Sequence, residues 1–83
     1  MLDLDDVMSS LELSDGLDIY EVLESVLRIV IEADDLDDNW LITFTDYDDE
    51  VRMATVTQDY EVIDIKRWFI TQGIEREVIK VKG

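Results

Sequence analysis

Two runs of alternating side chains flank a short acidic turn, and they limit what this chain can fold into. Trp40-Leu41-Ile42-Thr43-Phe44-Thr45 places Trp40, Ile42 and Phe44 on one face and Leu41, Thr43 and Thr45 on the other. After Asp48-Asp49-Glu50, residues 51–57 return with Arg52, Ala54 and Val56 alternating against Val51, Met53 and Thr55. A period of two, in segments rich in β-branched and aromatic residues, reads as strands, and the turn between them makes a hairpin. A hairpin alone is marginal in water, so the rest of the chain must supply a further strand and a layer to cover one face.

The covering layer reads as helical. Leu4, Val7, Met8 and Leu11 form a single apolar stripe, which predicts a short helix over residues 3–11. Ser14-Asp15-Gly16 is a break. Asp18 followed by Glu21 has the form of a capping box and predicts a longer helix over about residues 18–33. Ile19, Leu23, Val26, Val30 and Ala33 make its central stripe, widened by Tyr20, Val22, Leu27, Ile29 and Ile31. That arc is much broader than the roughly 100° a helix needs to lie on a sheet, so its surplus must meet a second surface. The first helix is one occupant of that surface; a dimer or partner interface through Tyr20, Leu27, Ile31 and Trp40 is the other.

Residues 33–39 (Ala-Asp-Asp-Leu-Asp-Asp-Asn) read as an acidic loop. The apolar residues of segment 59–72 fit neither period cleanly. Gly73-Ile74 nevertheless has the form of a helix C-cap, and Asp59 that of an N-cap, so a helix is expected there, with a further strand as the alternative. Residues 75–82 alternate as a last strand with Val78 or Ile79 inward. The expected order is α-α-β-β-α-β, a single two-layer α+β domain over residues 1–83 with three mainly antiparallel strands.

Charge narrows the function. The chain of 83 residues carries 22 acids against seven bases, no histidine and no cysteine, and 47% of its residues are apolar. That apolar share supports a core, and the formal charge of −15 makes direct contact with nucleic acid or an anionic membrane unfavourable. The acids are polarised: residues 1–40 hold 13 acids and one base, and residues 41–83 hold nine acids and six bases. Salt adaptation, which would fit the three lysines, spreads acids over a whole surface; this asymmetry points to a local acidic face. The acidic start of the chain lacks the basic region of a secretion signal, and no apolar run is long enough to span a bilayer, so a cytoplasm is expected.

No catalytic set emerges. Asp15-Gly16-Leu17-Asp18 resembles the Asp-Ser-Leu-Asp motif of acyl carrier proteins, a family of this size and acidity. Gly16 stands where that family has the serine whose hydroxyl carries the phosphopantetheine arm, and the second half reads as strands where the family is helical. The resemblance therefore implies no cofactor here. Asp35-x-Asp37-x-Asn39 opens like a calcium loop with Asp46 at the twelfth position, but Trp40 occupies the sixth, where a glycine makes the turn. The pairs Asp34/Asp35, Asp37/Asp38 and Asp48/Asp49 lack the cleft that acid–base chemistry needs to separate and desolvate two carboxyls. No metal, no cofactor and no enzymatic activity are expected.

Asp5, Asp6, Asp18, Glu21, Glu24, Glu32, Asp34, Asp35, Asp37 and Asp38 form the candidate partner-binding face. Acids three or four residues apart on a helix lie roughly 5–6 Å from one another. A duplex presents about one charge per 1.7 Å of axis. An acidic ridge can thus compete for the same Arg and Lys residues in a nucleic-acid-binding groove. In size and charge the chain is similar to small acidic phage-encoded inhibitors of host nucleases, and nine Ile against two Ala fits the AT-rich coding common in phages; the host cytoplasm would then be its location. The other reading is an accessory module that binds or dimerises through the apolar arc of the second helix, its acids serving solubility. Trp40 and Trp68 read as core residues or interface anchors. The bases Lys66, Arg67, Arg76, Lys80 and Lys82 read as an offset to the acidic half, within the chain or across a symmetric dimer.

Overall fold

In the computed structural model, which describes residues 3–13 and 16–82, three helices cover one face of a four-stranded sheet. The order is α1 (Leu4–Ser9), α2 (Ile19–Glu24), β1 (Val26–Asp34), β2 (Asn39–Asp46), β3 (Val51–Thr57), α3 (Val62–Thr71), a 3-10 turn (Arg76–Val78) and β4 (Ile79–Lys82). The α+β class is as expected from the sequence. The sheet has one strand more than expected, in the order β3-β2-β1-β4. β1 pairs antiparallel with β2, and β2 with β3, while β4 lies parallel to β1. A parallel neighbour needs a long crossover, and α3 with the 3-10 turn supplies it from one edge of the sheet to the other.

The extra strand comes from the segment expected to continue the second helix. Asp18 caps α2 as expected, its Oδ1 accepting from the Glu21 N–H at 2.9 Å. The helix then stops at Glu24, and residues 26–34 are extended. Val26, Ile29, Val30 and Ile31 are β-branched, which favours the pleated conformation over the helix. A register shift between Val26 and Arg28 marks a bulge, which leaves both Val26 and Ile29 facing the core. Inward residues three apart imitate helical spacing, and that produced the helical reading.

The core lies between the layers. Ile29, Ile31, Ile42, Phe44, Ala54, Val56 and Ile79 face inward from the sheet to meet Met8, Ile19, Val22, Ile65, Trp68 and Phe69 from the helices. Phe44 and Phe69 meet edge to face with centroids 5.8 Å apart, a favoured aromatic geometry. The hairpin of β2 and β3 has the faces expected from its alternation, with Trp40 opposite Val56 and Ile42 opposite Ala54.

α3 ends as Gly73-Ile74 predicts. Gly73 has φ +95°, its N–H donates to the Ile70 carbonyl, and the Ile74 N–H donates to the Phe69 carbonyl, the paired bonds of a Schellman cap. Its N-cap is Glu61 and not Asp59, whose N–H instead donates to Thr57 Oγ1. The first helix is shorter than the expected 3–11, and the Ser14-Asp15 part of the predicted break lies outside the described residues. No helix among the described residues is long and apolar enough to cross a membrane.

Candidate protein-binding surface

The acidic segment 34–38 is the tip of the β1–β2 hairpin. Asp34 pairs with Asn39 as the last rung, and residues 35–38 make the turn. Asp38 adopts φ +54°, a left-handed conformation that Asp tolerates better than most side chains. The turn is tied to the chain leaving β3: the Gln58 N–H donates to the Asp38 carbonyl at 2.9 Å, and Gln58 Nε2 donates to the Asn39 carbonyl at 2.9 Å and reaches Asp35 Oδ1 at 3.4 Å. These bonds bring Asp59 and Glu61, absent from the sequence-based set, to the same end of the molecule. The run Thr57-Gln58-Asp59 after an alternating strand was their only signal. At the apex Leu36 is 96% exposed, with two aspartates on each side.

The remaining predicted acids do not join this tip. β1 separates its two ends by nine residues, on the order of 26 Å at about 3.3 Å per step. Glu21 and Glu24 are exposed on α2 at the far end. Asp6 is exposed on α1, and Asp18 is occupied in capping. Asp5 accepts from Trp68 Nε1 at 2.8 Å and so ties α1 to α3. Glu32 lies on the helix-free outer face of the sheet, opposite Lys82 in the register with β4. The acids expected on two helices and their loops therefore fall into separate regions, because the second helix ends at Glu24.

The apolar arc is also divided. Ile31 is fully buried, so it cannot serve as an interface residue. Leu27 projects at the bulge, 40% exposed; Tyr20 is 46% exposed on α2 with its ring 6.2 Å from Trp68. Trp40 is half-buried against the core, its Nε1 donating to the Tyr60 carbonyl at 2.8 Å. Trp68 thus serves as a core residue and Trp40 packs against the core; of the four arc residues, only Tyr20 and Leu27 are exposed. The ambiguity of segment 59–72 has a similar origin: α3 buries Ile65, Trp68 and Phe69 but leaves Ile63 and Ile70 exposed on its opposite side. Those two isoleucines line a shallow groove of about 240 Å³ with Lys66, Arg67 and Arg76. Lys80 and Lys82 point away from it, on the outer face of the sheet.

At the opposite end of β2 from the acidic tip, Asp46 is the one buried charged residue among those described. Its Oδ2 accepts from Arg52 at 2.9 Å, and its Oδ1 accepts from the N–H groups of Asp48 and Glu50. The Arg52 guanidinium, helped by those two amides, holds the Asp46 carboxyl below the usual aspartate value despite burial. Asp46 therefore organises the β2–β3 turn. All of β2 lies between it and Asp35, so the calcium-loop spacing does not close into a site. No group of three or more His, Cys, Asp or Glu among the described residues is placed to hold a metal ion.

No family model matches the chain, and neither a curated protein nor a solved structure matches it.

Proposed function

We propose that this chain acts by binding and not by catalysis, with its acidic hairpin tip docking on a basic groove of a nucleic-acid-acting protein in the cytoplasm. The observation that carries the reading is the tip itself. Four aspartates are held on a turn fixed by Gln58, with Asp59 and Glu61 beside them and Leu36 exposed at the apex. A fixed turn offers its carboxylates with little further loss of conformational freedom on binding. Arg and Lys side chains arranged to neutralise phosphates are chemically suited to receive them.

Leu36 adds what charge alone does not. Surface ion pairs contribute little net affinity, whereas burying a leucine contributes about 1.5–3 kcal/mol. The acids steer the encounter, and the leucine lengthens the lifetime of the complex. The accessory-module reading rests on that arc, of which Ile31 is buried and Trp40 half-buried while Tyr20 and Leu27 stay exposed.

The test is a variant with Asp34, Asp35, Asp37 and Asp38 each changed to Asn. All four lie at the hairpin tip, away from the core, so the variant should fold. Partner binding should fall by at least tenfold at low salt, where screening is weakest. Unchanged binding would sink the proposal.

A further inference from the structure

We propose that the hairpin tip of one copy docks into the α3 groove of a second copy of this chain. The tip and the groove are complementary in both charge and hydrophobicity. Leu36 projects almost wholly into solvent between Asp34-Asp35 and Asp37-Asp38. The groove offers two exposed apolar walls, Ile63 and Ile70, rimmed by Lys66, Arg67 and Arg76, and its volume of about 240 Å³ is large enough for a leucine side chain. It gathers three of the chain's seven bases, in a molecule whose surface is otherwise dominated by acids. Among the described residues the Arg67 guanidinium makes a 4.0 Å approach to Asp64 within its own helix, a long and exposed pairing from which it can turn to an incoming carboxylate.

The contact is between copies. Gln58 pins the tip to the chain that leads into α3, so the tip cannot reach across to the groove on its own helix. Tip and groove are different surfaces, so the association runs head to tail and extends into rows or rings. The overall charge of −15 opposes it at low ionic strength, but at about 0.15 M salt the screening length is near 8 Å. Long-range repulsion is then damped, while paired charges in direct contact still attract. The interface is much smaller than the roughly 800 Å² per partner of a stable complex, so the association is weak. It uses the same tip as the partner reading above, and a copy whose tip is docked is closed to a partner.

The test is sedimentation equilibrium on the purified chain alone, up to about 1 mM and at about 0.15 M salt. Because no partner is present, its failure is separate from failure of partner binding. Wild type should show a mass that rises with concentration. Leu36→Ser, and separately Arg67→Glu with Arg76→Glu, should each weaken association about tenfold or more, the loss expected from unburying one leucine or reversing two rim charges. All three positions are exposed, and Asp35→Asn with Asp37→Asn gives a second tip variant. An equimolar mixture of the Leu36→Ser and Arg67→Glu/Arg76→Glu chains should regain association and stop at one-to-one pairs, since one retains the groove and the other the tip. A wild type that stays monomeric throughout, variants that associate as wild type does, or a mixture no better than its components would each overturn the proposal.

Discussion

Asp46 shows how one side chain can fix a turn in a protein that has negative charge to spare. It accepts from two turn amides and from Arg52, and its environment favours the ionised form. A carboxyl whose value is depressed in the folded state stabilises fully above its unfolded value, about 3.9 for aspartate, and loses that contribution as pH falls through the lower folded value. Asp46→Asn should accordingly be less stable than wild type at about pH 7, with the gap narrowing only below about pH 3.9 and closing as pH falls through the lower folded value. Urea denaturation across that range checks it. A gap that stays constant with pH would mean that the loss comes from the poorer fit of the amide in the turn, and not from the lost charge. Asp5 carries a related lesson: it reads as a partner-facing acid, yet the Trp68 indole occupies it.

Elements differ in how much of them the sequence reveals. The β2–β3 hairpin, the Asp18 cap and the Gly73-Ile74 ending were legible because each rests on local chemistry: strict alternation, a side chain one turn from free amides, and a residue that tolerates positive φ. β1 was not, because its bulge brings Val26 and Ile29 to the same face and so reproduces a helical interval. The run of β-branched residues from Val26 to Ile31 was the signal available against it. The two assignments predict opposite mutational orders. With β1 as a strand, Ile31→Val should cost about 1 kcal/mol from the core. Val30→Thr, on the outer face, should cost about 0.5 kcal/mol or less. Urea unfolding of both variants decides it; a larger loss at Val30 would restore the helix.

For the whole molecule, that one strand rearranges the functional map. A continuous helix over 18–33 would have joined the acids of both ends into a single ridge. The observed sheet instead sends Asp34 to Asp38 to one end, beside Asp59 and Glu61, and leaves Glu21 and Glu24 at the other. The charge polarity was legible from counts along the chain, and the tip as an acidic loop. Leu36 as an exposed apex and the α3 groove were not legible, since both depend on which side of a turn or helix the core takes. The proposed binding mode puts the tip in a groove built for nucleic acid. A pull-down settles it most directly: proteins from a cell lysate are retained on the immobilised chain at low salt, then challenged with excess duplex DNA. Docking of the tip in such a groove should yield a nucleic-acid-binding protein that DNA displaces and that the four-Asn tip variant does not retain. A partner that stays bound in the presence of DNA, and binds the tip variant equally well, would contradict it.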